Sequence, residues 1–222
     1  MLKRDSNPLV LYEDAHLIVL DKPAGFLSQG GSAEGPNIVD WLRLRWGRPY
    51  VGLIHRRDRN TSGLMVVAAR TKAANRLTAA LQAGKIDRRY LAWVEGRITG
   101  PARWQHWLVK NEETNLVTAF SKPNGRPGEK EAVLSLTPKN QSRLGNQEIS
   151  LIELKLETGR SHQIRAQAKH AGHILLGDRK YGSRIEQPGR PALHSSSLQF
   201  PHPMGERSMH FESPLPPDLQ LG

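Results

Sequence analysis

Hydrophobic residues along this chain recur mainly with the two-residue period of β-strands. Ile152, Leu154 and Leu156 alternate with charged residues, which predicts a strand with one buried face. The apolar run 64–69 predicts a buried strand, and the run 90–94 predicts a strand buried on both faces. Further runs of strand length predict strands at 9–12, 17–20, 103–109, 116–120, 132–136, 193–200 and 209–211.

Two segments in the first half of the chain have helical spacing. Asn37 is a typical N-cap residue and predicts a helix over 38–46. Thr71 is the predicted N-cap of a second helix, which runs to Ala83 and ends at Gly84. Each segment has an apolar stripe, as expected of helices that pack on a sheet.

A third helix is predicted to follow the turn Thr158-Gly159-Arg160-Ser161 and to end near His170. Apolar residues occupy one side of this helix, and His162, Arg165 and Lys169 occupy the other. Arg165 falls in the first turn, where the backbone dipole is positive, so this turn would bind an anion. A plain phosphate-binding or surface arginine would have the same spacing.

One short stretch concentrates charge around a single carboxylate. In His55-Arg56-Arg57-Asp58-Arg59-Asn60-Thr61-Ser62-Gly63, four cationic or potentially cationic residues surround Asp58. Thr61-Ser62-Gly63 predicts a tight turn, so Asp58 is expected on a loop held by the strand that follows. An ionised Asp can act as a nucleophile, and a polyanionic substrate would be attracted to its basic surroundings. An ordinary surface ion pair fits the spacing equally well.

The composition narrows the class of protein. The chain has 222 residues, a formal net charge of +11 and an isoelectric point of about 10.3, which indicates a polyanionic partner such as nucleic acid. Cysteine is absent, which excludes disulfides, thiolate metal sites and cysteine nucleophiles. No apolar run has the length of a membrane span, and the N-terminus lacks an apolar signal core. A soluble cytoplasmic protein is the expectation.

At this point the motifs resemble those of a known family. His-Arg-Arg-Asp-x-x-Thr-Ser-Gly-Leu at 55–64 resembles the catalytic signature of the RluA family of RNA pseudouridine synthases. Four further stretches match in the family's order, and the resemblance as a whole spans about residues 9–213. They are Lys22-Pro23-Ala24-Gly25, the tyrosine motif Arg88-Arg89-Tyr90-Leu91-Ala92-Trp93-Val94, the arginine motif at 156–165 continuing to Gly177-Asp178-Arg179-Lys180-Tyr181, and the C-terminal segment 193–203.

The resemblance implies an α+β fold with a curved, mostly antiparallel central sheet, flanking helices and a basic cleft. It implies a single catalytic domain over residues 1–222, with its core at about 9–213. The implied reaction converts uridine to pseudouridine within RNA and needs no cofactor. Asp58 is the implied catalytic residue, Arg165 would pair with it, and Tyr90 would stack on the uracil and help to move a proton.

The implied substrate is structured RNA, a stem-loop of tRNA or ribosomal RNA. Many relatives carry an S4-type RNA-binding domain before the catalytic part, and here the match begins near residue 9, so recognition by the catalytic domain itself is expected. A monomer is expected. The positions expected to contact RNA are His55, Arg56, Arg57, Arg59, Thr61, Arg160, His162, Lys169, Arg43 and Arg45.

Two positions depart from the family pattern. Arg57 stands where the family usually has Leu, and Arg88 stands where the tyrosine motif usually has Lys. Arg57 supports a competing hypothesis, a non-catalytic RNA-binding protein that retains the fold. Against this, the three residues of the implied catalytic set are all present. A third possibility, an RNA hydrolase that would use Asp58 and His55, lacks a metal site or a second paired acid and base.

The histidines after the arginine motif do not predict a metal site. His162, His170 and His173 are close in sequence, but no Cys accompanies them and Gly172 interrupts the helix.

Overall fold

The computed structural model describes residues 7–30, 35–205 and 207–221. They contain three α-helices, α1 Ile38–Trp46, α2 Thr71–Gln82 and α3 Gln163–His170. The strands are β1 Leu9–Glu13, β2 Leu17–Lys22, β3 Gly52–Leu53, β4 Ser62–Ala68, β5 Asp87–Glu95, β6 Ala102–Asn111, β7 Leu116–Phe120, β8 Lys130–Leu144, β9 Gln147–Leu156, β10 Leu193–Pro201 and β11 Ser208–Glu212. Two short 3₁₀ helices are formed by Arg179–Tyr181 and Pro217–Leu219.

The chain divides into two compact units. The first consists of Met1–Arg88 and Ser195–Pro214, and the second of Arg89–His194 and Leu215–Gly222. The implied single catalytic domain over 1–222 stays a prediction.

The first unit is an antiparallel sheet with two helices. Strand β2 pairs with β1 on one side and with β4 on the other, β3 pairs with β4, and β11 pairs with β10. All seven residues of β4 are buried, as its apolar run predicts. On one face β4 contributes Leu64 and Val66 to a cluster with α2, and on the other Met65 and Val67 to a cluster with α1.

The second unit is an antiparallel sheet in the order β5-β9-β8-β6-β7. The alternation predicted for β9 is present, since Ile152, Leu154 and Leu156 are buried and Lys155 is exposed. Leu154 lies opposite Tyr90 in the β5–β9 ladder, and both belong to a cluster that includes Ile164 of α3. The same hydrophobic cluster therefore includes residues of α3 and of the strand that carries Tyr90.

The helix limits follow the sequence closely, with one wrong cap. The side chain of Asn37 accepts a hydrogen bond from the amide of Asp40, as predicted for the N-cap of α1. For α2, however, the N-cap is Arg70 without a side-chain bond, and Thr71 is the first helical residue. Arg70 has an extended backbone two residues after the end of β4 and directly precedes α2.

The two-sided pattern predicted for the third helix is wrong. Six consecutive residues of α3, from Gln163 to Ala168, are buried. Polar side chains on this helix bond to protein groups, and Gln167 Nε2 donates to the carbonyl oxygens of Trp104 and Ala132, both at 3.1 Å. His162 is the N-cap with φ 48°, so it precedes the helix.

Gly63 is required by a close backbone approach in the first unit. Its φ is 105°, and a Cβ atom here would lie 2.3 Å from the carbonyl oxygen of Ser195. L-residues rarely adopt this φ, and a backbone atom can move only if the strand moves with it.

We expect Gly63→Ala to lower the free energy of unfolding by about 3 kcal/mol, because strain and overlap add. Urea denaturation followed by circular dichroism measures the change. Gly205→Ala is the matched control, since a Cβ there meets nothing within 4 Å. Equal denaturation midpoints for the two variants would contradict the argument.

Candidate active site

Asp58 lies on the loop between β3 and β4 of the first unit. The amide of Thr61 donates to the carbonyl oxygen of Asp58 at 3.1 Å, which closes a tight turn over 58–61. The predicted turn over 61–63 is therefore displaced, because Ser62 and Gly63 already belong to β4. Asp58 is half-buried at the start of this turn.

Lys22 fixes the backbone directly after Asp58. Its side chain is 0% exposed, and Nζ donates to the carbonyl oxygens of Pro23 (3.0 Å), Phe26 (2.8 Å) and Arg59 (3.1 Å). The amide of Gly25 also donates to the carbonyl oxygen of Arg59, at 2.9 Å. The Lys-Pro-x-Gly segment thus holds the Asp58 loop by hydrogen bonds to the main-chain carbonyl of Arg59.

Ser28 fixes the backbone directly before Asp58. Its Oγ accepts from the amide of Arg57 at 2.8 Å and donates to the carbonyl oxygen of the same residue at 3.0 Å. The Arg57 side chain is 7% exposed, which accounts for the apolar residue that the family usually has at this position. Asp58 is therefore held between two anchored peptide groups.

His55, at the start of the loop, is neutral near pH 7. Burial lowers its pKa well below the ordinary value of 6.5, and the positive charges of Arg57 and Arg88 lower it further. The amide of Val66 donates to His55 Nε2 at 3.3 Å, so the imidazole proton resides on Nδ1. His55 therefore supplies no cation for RNA at this pH.

The other predicted RNA-contacting residues of the first unit differ in exposure. Arg56 and Arg59 are exposed next to Asp58, and Arg59 Nε donates to the carbonyl oxygen of Gly25 at 3.1 Å. Thr61 is 4% exposed, so little of its side chain can reach RNA in this conformation. Arg43 and Arg45 are exposed on α1.

Both α1 arginines also bond within the unit. Arg43 Nη1 lies 3.1 Å from Asp40 Oδ1, and Arg45 Nη2 lies 2.8 Å from Glu13 Oε2. Partial burial opposes ionisation of Glu13, but the bonds from Arg45 and Trp46 outweigh it and lower the pKa of Glu13. Contact of either arginine with RNA stays a prediction.

Tyr90 and Arg165 belong to the second unit. Tyr90 lies on β5, is 7% exposed and packs in the cluster that Ile164 also joins. Arg165 lies in the first turn of α3, as predicted, but it is 8% exposed and forms a bidentate ion pair with Asp178. The bonds join Nε to Oδ2 and Nη2 to Oδ1, both at 2.7 Å.

The remaining predicted RNA contacts cluster at the two ends of α3. Arg160 is exposed and its Nε donates to the carbonyl oxygen of Glu131 at 2.9 Å. His162 Nδ1 lies 2.9 Å from the hydroxyl of Tyr181, and Lys169 is exposed in the last turn. Exposed cations therefore lie at both ends of the helix that carries Arg165.

Three functional residues of this site had no role in the sequence analysis: Lys22, Ser28 and Asp178. Lys22 and Asp178 fall inside the quoted motifs, and that membership is the one signal the sequence offers for them. Their partners are main-chain carbonyls or a buried guanidinium, which a sequence pattern does not reveal. Ser28 has no such signal.

Two further properties bear on the class of site. Within residues 7–30, 35–205 and 207–221, no three His, Asp or Glu side chains converge as metal ligands would. Of the three helices in this part of the chain, none has the length and apolar content needed to span a bilayer.

Comparison with known proteins defines the class. Residues 16–170 match the family described as RNA pseudouridylate synthase. An uncharacterised RNA pseudouridine synthase of Bacillus subtilis is 35% identical over 95% of this chain and 73% of its own length. Ribosomal large subunit pseudouridine synthase D of Vibrio vulnificus is 33% identical, over 95% of this chain and 68% of that protein.

The solved structures agree on the fold. Human RNA pseudouridylate synthase domain containing 1 superposes with a TM-score of 0.79 at 24% identity, covering 96% of this chain and 86% of that one. The chain therefore has the α+β pseudouridine synthase fold.

The chain belongs to the RNA pseudouridylate synthase family, in agreement with the RluA motifs. It is an RNA pseudouridine synthase, an isomerase that converts uridine in RNA to pseudouridine.

We expect Lys22→Met to destabilise the first unit by roughly 3 kcal/mol, because three carbonyl oxygens lose a charged donor. The pinned loop would also shift, and a small misplacement can slow catalysis by about a hundredfold. Thermal unfolding and single-turnover isomerisation measure the two effects. Lys72→Met, at an exposed position on α2, is the control. Wild-type rate and midpoint in Lys22→Met would refute the role of Lys22.

The lowered pKa of His55 makes stability depend on pH. Below pH 6.5 the unfolded chain protonates His55 and the folded chain does not, so stability is lost as the pH falls through this range. The slope from one group is at most about 1.4 kcal/mol per pH unit.

We expect His55→Gln to reduce this pH dependence, since Gln keeps an acceptor for the Val66 amide but does not titrate. Urea denaturation between about pH 7.5 and about pH 5.5 gives the slope for both proteins. The difference between the slopes isolates His55 from the other histidines. Identical slopes would show that His55 protonates as readily in the folded chain.

Proposed function

We propose that Asp58 is the catalytic carboxylate of this synthase. The observation that carries the proposal is the anchoring of its loop: Ser28 holds the peptide before Asp58, and Lys22 with Gly25 holds the peptide after it. A carboxylate on a fixed main chain can attack or promote loss of a base in one orientation. The match of 55–64 to the RluA catalytic signature supports the same residue.

The reaction sets clear requirements. The C1′–N1 bond of uridine breaks, the base turns and C5 bonds to C1′. The C5 hydrogen leaves as a proton and N1 gains a proton, so the product is an isomer and no electrons are gained or lost. In this proposal Asp58 starts the sequence by attack or by assisting departure of the base. The sequence and structure are compatible with attack on the uracil, with an acylal at C1′ and with a glycal.

Arg165 and Tyr90 complete the proposed catalytic set. Arg165 would pair with the Asp58 carboxylate and orient it, and Tyr90 would contact the base and assist proton transfer. The motif matches support both roles. Arg165 directly follows Ile164, and Ile164 and Tyr90 belong to the same hydrophobic cluster of the second unit.

RNA is the substrate class, and exposed cations are the proposed phosphate contacts. The target uridine must leave its stack, which costs a few kcal/mol, and contacts to phosphate offset this cost. Of the predicted set, the exposed members are the strongest candidates. They are Arg43, Arg45, Arg56, Arg59, Arg160 and Lys169.

The names of two relatives are the basis for proposing which RNA is modified. Two matching relatives of Vibrio vulnificus are named ribosomal large subunit pseudouridine synthases C and D. A stem-loop of large-subunit ribosomal RNA is therefore the first substrate to test, and a tRNA stem-loop the second. Action in the cytoplasm as a monomer is part of the same proposal.

Tritium release tests this function. RNA from cells that lack the protein is labelled at C5 of uracil and incubated with wild-type protein, Asp58→Asn or the control Asp218→Asn. We expect release with wild type and the control, and a loss of at least about a thousandfold with Asp58→Asn. Ribosomal and transfer RNA are assayed separately to identify the substrate.

RNA binding is measured in parallel by filter retention. If wild-type protein binds RNA tightly but releases no tritium, the alternative of a non-catalytic RNA-binding protein is favoured. Arg57→Leu would then be the first variant to assay. If Asp58→Asn released tritium at the wild-type rate, the proposed catalytic role of Asp58 would be refuted.

A further inference from the structure

Arg165 and Asp178 form a buried ion pair of well-defined geometry. The carboxylate of Asp178, 1% exposed, lies in line with one edge of the guanidinium and accepts from Nε and Nη2. This bidentate arrangement fixes the plane of the guanidinium as well as its position. The edge that carries Nη1 is consequently directed away from Asp178.

The main chain at Asp178 is held by a turn that would keep the carboxylate in place. The amides of Tyr181, Gly182 and Ser183 donate to the carbonyl oxygen of Asp178 at 3.0–3.1 Å, and its own amide donates to Leu175. Gly177 precedes it with φ 71°, where a Cβ would lie 2.2 Å from the carbonyl oxygen of Arg190. Asp178 therefore sits on a turn that several main-chain hydrogen bonds hold in place.

Tyr181 restrains the guanidinium from another direction. The Arg165 Cζ lies 4.8 Å from the centre of the Tyr181 ring, within cation–π distance. The Tyr181 hydroxyl accepts from the amide of Val117 at 3.1 Å and bonds His162 Nδ1 at 2.9 Å, so the ring itself is anchored. Arg165 is thus restrained on one edge and on one face.

A positive charge in the first turn of a helix is unfavourable without a counter-ion. The dipole of α3 is positive at this end, and Arg165 is nearly inaccessible to water. Asp178 offsets both costs. The bidentate contact also fixes which edge of the guanidinium faces Asp178 and directs the Nη1 edge elsewhere.

We propose that Asp178 is a positioning residue for the isomerisation: it holds Arg165 in the orientation in which Arg165 can orient the catalytic carboxylate. The proposal rests on the proposed function, in which Arg165 acts on Asp58. Asp178 itself acts through Arg165 and is not assigned a contact with the uridine.

Asp178→Asn tests the proposal, because Asn keeps the shape but can accept from only one of the two guanidinium donors. We expect the single-turnover rate constant to fall at least about tenfold, with the Kd for RNA within about twofold of wild type. Asp218→Asn is the matched control. It weakens the pair of another buried guanidinium in the same unit, Arg190, whose Nε lies 2.7 Å from Asp218 Oδ2, although Asp218 is about half exposed.

A double-mutant cycle separates positioning from general destabilisation. If Asp178 acts through Arg165, Asp178→Asn should slow an Arg165→Lys enzyme by less than about twofold further. Equal effects of Asp178→Asn in both backgrounds would overturn the proposal, as would a rate within about twofold of wild type. An equal loss of rate in Asp178→Asn and Asp218→Asn would also overturn it.

Asp178→Glu provides a second variant should Asp178→Asn fail to fold. Glu keeps the charge but displaces the carboxylate by one methylene. We expect a folded protein with a reduced rate and unchanged RNA affinity, and a wild-type rate would overturn the proposal. If Asp58→Asn is inactive while Asp178→Asn is fully active, the proposed function stands and this inference fails.

Discussion

The ammonium group of Lys22 is the interaction on which the candidate site depends. Burying a cation is costly unless other groups replace its hydration, and three carbonyl oxygens contribute to this at Lys22. One of these carbonyl oxygens belongs to Arg59, the residue after Asp58. The hydrogen bonds that stabilise buried Lys22 therefore depend on the position of the main chain next to Asp58. The backbone that carries Asp58 can move only if Lys22 loses a hydrogen bond in the interior.

The second unit also contains a buried cation, Arg165, and here a carboxylate binds it where carbonyl oxygens bind Lys22. Arg165 is buried, and a guanidinium needs partners in its own plane. Asp178 supplies them from a turn whose main chain is bonded independently of Arg165. In each unit, then, a cation in a family motif is bound by at least one residue whose main chain makes its own backbone hydrogen bonds.

The sequence predicted the elements better than it predicted the partners of polar side chains. Strand positions such as β7, and the Asn37 cap of α1, follow from local pattern and local hydrogen bonding. The two-sided pattern of α3 failed because polarity was taken as a mark of exposure. Gln167 and Arg165 are buried instead, with bonds to carbonyls and to Asp178 that arise only when distant segments come together.

The difference between buried and exposed cations changes how the net charge of +11 should be understood. Lys22, Arg57 and Arg165 contribute to it, yet all three are nearly inaccessible to water, so they stabilise the frame around the site. Release of counter-ions on binding RNA depends on cations that reach phosphate. We therefore expect the salt dependence of RNA binding to report the exposed arginines and lysines. We expect the buried cations to affect the rate of isomerisation instead, through the proposed roles of Asp58 and Arg165.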